Sequence, residues 1–337
     1  KSKFLNIKSF SSKLQLQTKT ALNPLNKLFN DLPHRDALLV SSQNIKWTVS
    51  ELNTYSNAFA KHLIEVGCKP GQKFLLWSDI NHSAEVICAT FGAWKAGLTV
   101  VHSEFENSEE IKTILSNNKD IEVFMFSPYN QIDSKSRLEH LKGVTLPKHT
   151  IQISHKTLEG TIKFKQAFNY STGFNSSITL PEIQEQMGAF EIIRGNASEN
   201  LTHQDLFERI EESGLGMSYG TVVNSAPSFY PVSVTIGLLA NLQKKNYVVF
   251  PGTYSLKEIL TILQNQKSKQ FICEGNLLDI NAGEDRAKEI SSKTQDVSSL
   301  LVFGEENELK GKDTGFLQKC FPNAKMEFFD EFTMKRF

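Results

Sequence analysis

The 337-residue chain is predicted to adopt an α/β fold in which a mostly parallel sheet is flanked by helices. Short continuous apolar runs, at residues 74–77, 98–101 and 121–126, are typical of strands that are covered on both faces. Segments with helical spacing separate these runs, at residues 83–96 and 108–117. The β-α-β-α-β order therefore predicts parallel strands that are joined by right-handed crossovers.

The first part of the predicted fold contains a clear helix start. Residues 37–40 form an apolar run, and residues 45–48 are predicted to pair with it as a hairpin. Thr48 and Glu51 have the spacing of a capping box, in which a hydroxyl and a carboxylate satisfy exposed N–H groups. Apolar residues then recur at helical spacing until Gly67, which suits the left-handed position after a helix.

Residues 127–185 are less regular and are predicted to be an excursion on one side of the sheet. Regular periodicity resumes with a strand at residues 188–193, and Thr202 with Asp205 resembles a second capping box. The remaining apolar runs predict strands at residues 221–224, 247–250, 271–273, 300–303 and 326–329, and helices at residues 232–242 and 255–266.

Charge and composition exclude several classes of function. The chain has 37 basic and 37 acidic residues, so no excess of positive charge indicates a nucleic-acid partner. Its four scattered cysteines show neither CxxC nor Cys/His spacing and are predicted to be buried thiols. No apolar run reaches the length of about 18 residues that would span a bilayer. A position beside a membrane remains open.

Residues 1–30 differ in composition from the rest of the chain, because they carry lysines and serines but no acidic residue. A basic, Ser-rich and acid-free segment is typical of a mitochondrial transit peptide, although this one also lacks arginine. Two alternatives remain open: a basic, disordered terminus without a targeting signal, and an arm that binds a partner in the mature protein.

Three stretches have the pattern of one enzyme family. In chain order they are Lys46-Trp47-Thr48 with Glu51-Leu52, Ala60, Gly67 and Pro70-Gly71; ATFGAWKAGLTVV at residues 89–101, followed by His102 where a proline is usual; and Thr235 through Pro251-Gly252 to Phe271 and Leu277-Leu278. Together they resemble the large N-terminal domain of the adenylate-forming (acyl-CoA synthetase, AMP-binding) family. This resemblance implies a fold with layers of mostly parallel sheet flanked by helices.

The resemblance also implies an ATP-binding loop rich in Ser, Thr and Gly and closed by Pro-Lys-Gly. The matching residues 193–201 keep one Gly and one Ser, lack the lysine and add the negative charge of Glu199. A charge-assisted hydrogen bond to phosphate contributes about 1.5–3 kcal/mol, so losing three or four predicts an ATP affinity lower by roughly 10³-fold or more. Arg194 could recover part of this loss if it points inward.

A second family motif, Tyr-Gly-x-Thr-Glu, aligns with residues 330–334. Only Thr333 matches, and Met334 replaces the glutamate that would help to position Mg²⁺. The family's small C-terminal domain, with its catalytic lysine, would follow this motif and is predicted to be lacking.

Other polar residues are predicted to be structural. Asp79, Asn81 and His82 follow a strand at the edge where α/β proteins bind ligands, but they complete no triad and are interpreted as an ordinary loop. His203 is interpreted as a helix-start residue without chemistry. We therefore predict no catalytic, cofactor-binding or metal-binding residues, and no cofactor.

These observations predict one degenerate AMP-binding domain over residues 31–337, with two subdomains at residues 31–185 and 186–337, after the tail at residues 1–30. We expect a pseudoenzyme that serves as an accessory subunit of a mitochondrial assembly, a respiratory-chain complex or ATP synthase, in the matrix or on the matrix side of the inner membrane. Its partners would be other protein subunits and not nucleic acid. Two alternatives are an active acyl-CoA synthetase-like ligase and an acyl-chain sensor without nucleotide chemistry.

Overall fold

A computed structural model describes residues 19–102, 108–127, 137–154, 159–168, 177–194, 197–214, 219–278, 284–304, 309, 314–330 and 334–336. Within these residues the strands form two sheets of seven strands each, and helices cover the sheets. The α-helices are α1 Asn23–Asp31, α2 Val49–Glu65, α3 Ser83–Lys95, α4 Ser108–Asn117, α5 Arg137–His140, α6 His203–Gly214, α7 Asn241–Gln243, α8 Leu256–Asn265, α9 Glu284–Lys293 and α10 Thr314–Cys320. The predicted α/β fold with mostly parallel strands is confirmed.

The strands of the first sheet, sheet 1, come from both ends of the chain. They are β1 Asp36–Val40, β2 Ile45–Thr48, β10 Thr221–Asn224, β11 Tyr247–Phe250, β12 Gln270–Glu274, β13 Ser299–Gly304 and β14 Lys325–Asp330. Their spatial order is β14-β13-β12-β10-β11-β1-β2, and all neighbours are parallel except the β1–β2 hairpin.

The second sheet, sheet 2, uses the middle of the chain. Its strands are β3 Lys73–Trp77, β4 Thr99–His102, β5 Ile121–Phe126, β6 His149–Gln152, β7 Ile162–Lys163, β8 Gly188–Arg194 and β9 Ala197–Thr202. Their order is β7-β6-β5-β3-β4-β8-β9, and only the β8–β9 pair is antiparallel. The predicted division at residue 185 is therefore wrong, because β1 and β2 pair with late strands and β8 and β9 pair with early ones.

Alternate residues of the strands face two different apolar layers. In β3, Phe74 and Leu76 face a central core that both sheets share with α2 and α3, whereas Leu75 and Trp77 face an outer cluster with α4. Sheet 1 has its own outer cluster with α8, α9 and α10. Both faces of each sheet are thus covered, which explains why the strands have continuous apolar runs.

The predicted N-terminal tail is shorter than its composition suggested. Residues 1–18 lie outside the described residues, but residues 23–31 form α1, whose apolar side chains Leu25 and Leu28 are buried in the central core. The polar composition concealed this helix because Lys27 lies between the exposed Asn26 and Asn30 on its surface.

The structure confirms several finer features of the sequence. Thr48 and Glu51 form the predicted capping box, with Glu51 N donating to Thr48 Oγ1 and Thr48 N donating to Glu51 Oε2. All four cysteines are buried free thiols. Among the helices of the described residues, not one combines the length and the apolar character needed to cross a membrane.

Candidate functional site

The carboxyl ends of the parallel strands in the two sheets approach each other and form the candidate site. The turn after β1 contacts the start of α3, where Ala84 N donates to Gln43 Oε1 at 3.0 Å and Gln43 Nε2 donates to Glu85 Oε2 at 2.6 Å. Gly252, after β11, has a left-handed φ of 68°, and a Cβ there would overlap Ser42. Ligands of α/β proteins bind at such strand ends.

An aromatic cluster of His102, Phe229 and Tyr230 lies at this edge. His102 is the buried last residue of β4, and its ring centroid lies 6.5 Å from that of Phe229 and 5.2 Å from that of Tyr230. The Phe229 and Tyr230 rings meet edge to face at 5.1 Å. The cluster joins a strand end of sheet 2 to the segment that follows β10 in sheet 1, and it combines apolar ring faces with an imidazole and a phenol.

Asn224, the last residue of β10, fixes the segment that carries Phe229 and Tyr230. Its Nδ2 donates to Ser233 O at 3.2 Å, and its Oδ1 accepts from Ala226 N at 3.2 Å. Ser233–Ala240 then forms a wide π-helix, in which Gly237 lies so close to Asn224 that a Cβ would overlap the amide. Such π-helical turns are frequent at functional sites.

A buried polar network lies beside the end of β3. Ser127 Oγ lies 3.3 Å from Asp79 Oδ2, and Arg137 Nη1 donates to Ser127 Oγ at 2.6 Å. The guanidinium also lies over the Trp77 ring at 4.9 Å. His82 Nε2 lies 3.8 Å from Asp79 Oδ1. The interpretation of residues 79–82 as an isolated loop missed Ser127 and Arg137, because both come from the irregular stretch in which the sequence has no periodic signal.

The segment predicted to be a nucleotide loop is mostly a β-hairpin. Strands β8 and β9 pair in an antiparallel ladder that extends to Arg194 opposite Ala197, so residues 195 and 196, which lie outside the described residues, connect them. The assignment of residues 193–201 as one loop is thus wrong for residues 193–194, which end β8, and for residues 197–201, which belong to β9. The second capping box is confirmed, since Asp205 N donates to Thr202 Oγ1 at 3.1 Å.

His203 lies in the core rather than in the cleft. Its ring is fully buried and packs against Trp94 with the centroids 5.6 Å apart. Burial lowers the pKa of His203 to about 4, so the imidazole is neutral at physiological pH. This geometry agrees with a structural residue at the start of α6.

Met334 stands where the family's metal-positioning motif has a glutamate, and its thioether is not a ligand that Mg²⁺ prefers. Met334 is 2% exposed, and its side chain belongs to the central core. Residues 331–333, including Thr333, lie outside the described residues. Within the described part of the chain, no three His, Cys, Asp or Glu side chains are grouped as metal ligands.

The comparison with protein families identifies an AMP-binding enzyme domain at residues 29–189. A nonribosomal peptide synthetase, sirP of Leptosphaeria maculans, is 34% identical over 98 residues, which are 28% of this chain and 4% of the synthetase. The resemblance to the adenylate-forming family is confirmed by these matches.

Solved structures share the fold over nearly the whole chain. The acyl-CoA synthetase of Brucella canis has a TM-score of 0.73 at 15% identity and covers 94% of this chain and 57% of its own. Coronafacic acid ligase of Pectobacterium brasiliense has a TM-score of 0.73 at 13% identity, with 92% and 60% covered. The chain therefore spans less than two thirds of the length of these relatives.

These comparisons contradict the prediction that the chain is not an enzyme. The matching family is one of AMP-binding enzymes, and the fold is shared with acyl-CoA and other acid ligases. The prediction depended on departures from the family pattern in two short segments, residues 193–201 and 330–334. The family match covers residues 29–189 and ends before both segments.

Proposed function

Because residues 29–189 carry an AMP-binding enzyme domain within an adenylate-forming fold, we propose that the protein activates a carboxylic acid by adenylation. A carboxylate oxygen of the acid attacks the α-phosphorus of ATP, and the bond to the bridging oxygen of the β-phosphate breaks. The products are an acyl-adenylate and pyrophosphate. The chain's own residues hold the two substrates in line and exclude water.

The observation that carries this proposal is the aromatic cluster at the junction of the two sheets. The faces of Phe229 and Tyr230 suit an acyl chain or an adenine ring, and the His102 imidazole and the Tyr230 phenol supply polar edges beside them. The cluster lies at the carboxyl ends of parallel strands, where α/β proteins bind their ligands.

The short connection between β8 and β9 predicts weak binding of ATP. A hairpin whose ladder reaches residues 194 and 197 leaves few backbone N–H groups to contact the phosphates. We expect a dissociation constant of about 1 mM, which corresponds to a binding free energy of about −4 kcal/mol. The acid is then expected to supply much of the binding energy of the ternary complex.

Location and partners stay predictions. The basic composition of residues 1–18 still supports import into mitochondria, and the neutral net charge still argues against a nucleic-acid partner.

Adenylation is tested by acid-dependent pyrophosphate release. The protein is incubated with about 5 mM ATP, a near-saturating concentration for the expected affinity, and with separate pools of short-chain, long-chain and amino acids. We expect release with one pool, and a stable acyl-sulfamoyl adenosine should inhibit it. Tyr230→Ala should lower kcat/KM for the acid at least about tenfold, because it removes an aromatic wall of the site.

Tyr219→Ala is the matched control, since Tyr219 is 70% exposed and its hydroxyl accepts a hydrogen bond from Arg35 on the surface. Its kinetics should equal those of the unmodified protein. The proposal would be contradicted if no pool of acids caused pyrophosphate release and the protein also failed to bind the sulfamoyl analogue.

A further inference from the structure

A cavity of about 440 Å³ shares no lining residue with the aromatic cluster. It is bounded by α1, α2, the end of α3 and residues 180–183. Lys95, on its wall, is the last residue of α3 and precedes the start of β4, whereas His102 ends that strand. The two sites therefore lie at opposite ends of β4.

Lys95 is the feature that distinguishes this cavity. The residue is only 5% exposed, and its ammonium donates to Asn53 Oδ1 at 2.7 Å and to Ser56 Oγ at 2.7 Å. A third short hydrogen bond, of 2.8 Å, goes to Asn57 Oδ1. Every one of these acceptors is neutral. In the described part of the chain, Lys95 forms no ion pair with a carboxylate.

The positive charge of a buried ammonium is not compensated when all of its hydrogen-bond acceptors are neutral. Burial lowers the pKa of Lys95 to about 7, a change that the nearby Cys88 only slightly opposes. An anion in the adjoining cavity would stabilise the charged ammonium in a region of low dielectric, where such an attraction is strong.

The rest of the wall suits the polar head of a small acid. Asn53 and Asn57 give their carbonyl oxygens to Lys95, so their NH₂ groups are the donors that these side chains have left for a ligand. Asn23, Asn26 and Asn30 line the opposite wall on α1, at the spacing of one helix face. Leu22, Phe29, Leu180 and Ile183 add apolar surface.

We propose that this cavity binds a monocarboxylate with a short apolar chain, with its carboxylate beside Lys95 and the amides of Asn53 and Asn57. Among the described residues that line the cavity, Lys95 is the only cation, and the exposed Glu182 also lines it, so one negative charge is better matched than the two of a phosphate. The volume fits a small organic ligand. This site goes beyond the proposed adenylation site and does not depend on it.

The test is the dissociation constant of hexanoate, measured by isothermal titration calorimetry in the absence of ATP. Lys95→Met should weaken hexanoate binding at least about tenfold, since the cation is lost while the length of the side chain is kept. Lys244→Met, which removes an exposed lysine, should leave the constant unchanged. Hexanol and inorganic phosphate should bind at least tenfold more weakly than hexanoate.

Tyr230→Ala separates this site from the aromatic cluster and should retain hexanoate binding. Asn57→Leu provides a second measurement, because Asn57 is only partly buried and its loss should not prevent folding. Loss of binding in Tyr230→Ala, or unchanged binding in both Lys95→Met and Asn57→Leu, would overturn the proposal. Equal binding of phosphate and hexanoate would also overturn it.

Discussion

Lys73 is the first residue of β3 and Lys95 is the last residue of α3, and only Lys73 has partners of opposite charge. Lys73 Nζ is 2.9 Å from both Asp120 Oδ2 and Glu191 Oε2. Lys95 Nζ contacts only neutral oxygens. Burial alone would lower the pKa of Lys73, but hydrogen bonds and the charges of Asp120 and Glu191 outweigh it and raise the pKa. For Lys95, burial lowers the pKa to about 7.

The comparison shows that hydrogen-bond satisfaction and charge compensation are separate requirements. Both ammonium groups have close oxygen partners, yet only Lys73 has partners of opposite charge. A cation can therefore be well hydrogen-bonded in a protein interior and still be destabilised as a cation. Three predictions test this distinction.

The largest difference is expected between Lys73→Met and Lys95→Met. The first change leaves the carboxylate of Glu191, whose side chain is 8% exposed, without its cation, and should lower the free energy of unfolding by about 3 kcal/mol. The second leaves three neutral oxygens without their donor but no unpaired charge, so it should lower the free energy of unfolding by less, about 1 kcal/mol. Urea unfolding at pH 7 measures both. Equal losses of stability in the two variants would contradict the inferred difference in charge compensation between Lys73 and Lys95.

The dependence of stability on pH sharpens the contrast. The folded-state pKa of Lys95 lies below the unfolded value of 10.5, so between pH 7 and 10.5 the unfolded chain binds more protons. Stability should therefore rise over this range because of Lys95, by at most about 1.4 kcal/mol per pH unit. Lys73 has a raised pKa, so its stabilising contribution is complete below pH 10.5 and is lost only above it.

Lys95→Met should abolish that rise, so between pH 7 and 10 the free energy of unfolding should increase more in the unmodified protein than in the variant. Urea unfolding at four pH values measures the difference. Parallel profiles would mean that Lys95 does not titrate in this range.

The smallest effect is expected for Ser56→Ala, which removes one acceptor from the Lys95 ammonium. The free energy of unfolding should fall by about 1–2 kcal/mol at pH 6 and by less at pH 9, where Lys95 is mostly neutral. Thr113→Ala is the control. The exposed Thr113 hydroxyl donates to Glu109 O at 2.8 Å, as Ser56 Oγ donates to Leu52 O at 2.7 Å, but among the described residues it accepts no hydrogen bond from a lysine. An Ser56→Ala effect that is independent of pH would contradict the assignment.

The strands that sequence reasoning recovered are those covered on both faces. Strand β5, IEVFMF, reads as an apolar run because the central core lies on one side and the outer cluster with α4 on the other. Strand β9, ASENLT, was missed because it is an edge strand with exposed polar residues at 198–200. A strand of this kind has neither an apolar run nor a clear alternation.

The candidate sites were less predictable because each combines distant parts of the chain. His102 attracted notice as a departure from the family pattern, but its contacts with Phe229 and Tyr230 depend on how the two sheets meet. Lys95 interrupts an apolar stretch, and only the packing of α3 on α2 reveals the oxygens around it. Single-sequence periodicity contains no information on such pairings.

Gly237 lies against the Asn224 amide, so the shape of the cleft depends on a buried residue outside the aromatic cluster. An added methyl group at position 237 would displace the amide that anchors the turn after β10, and with it the placement of both rings downstream. A substitution at this buried position would thus change the shape of the proposed acid site without a mutation in the cleft wall itself.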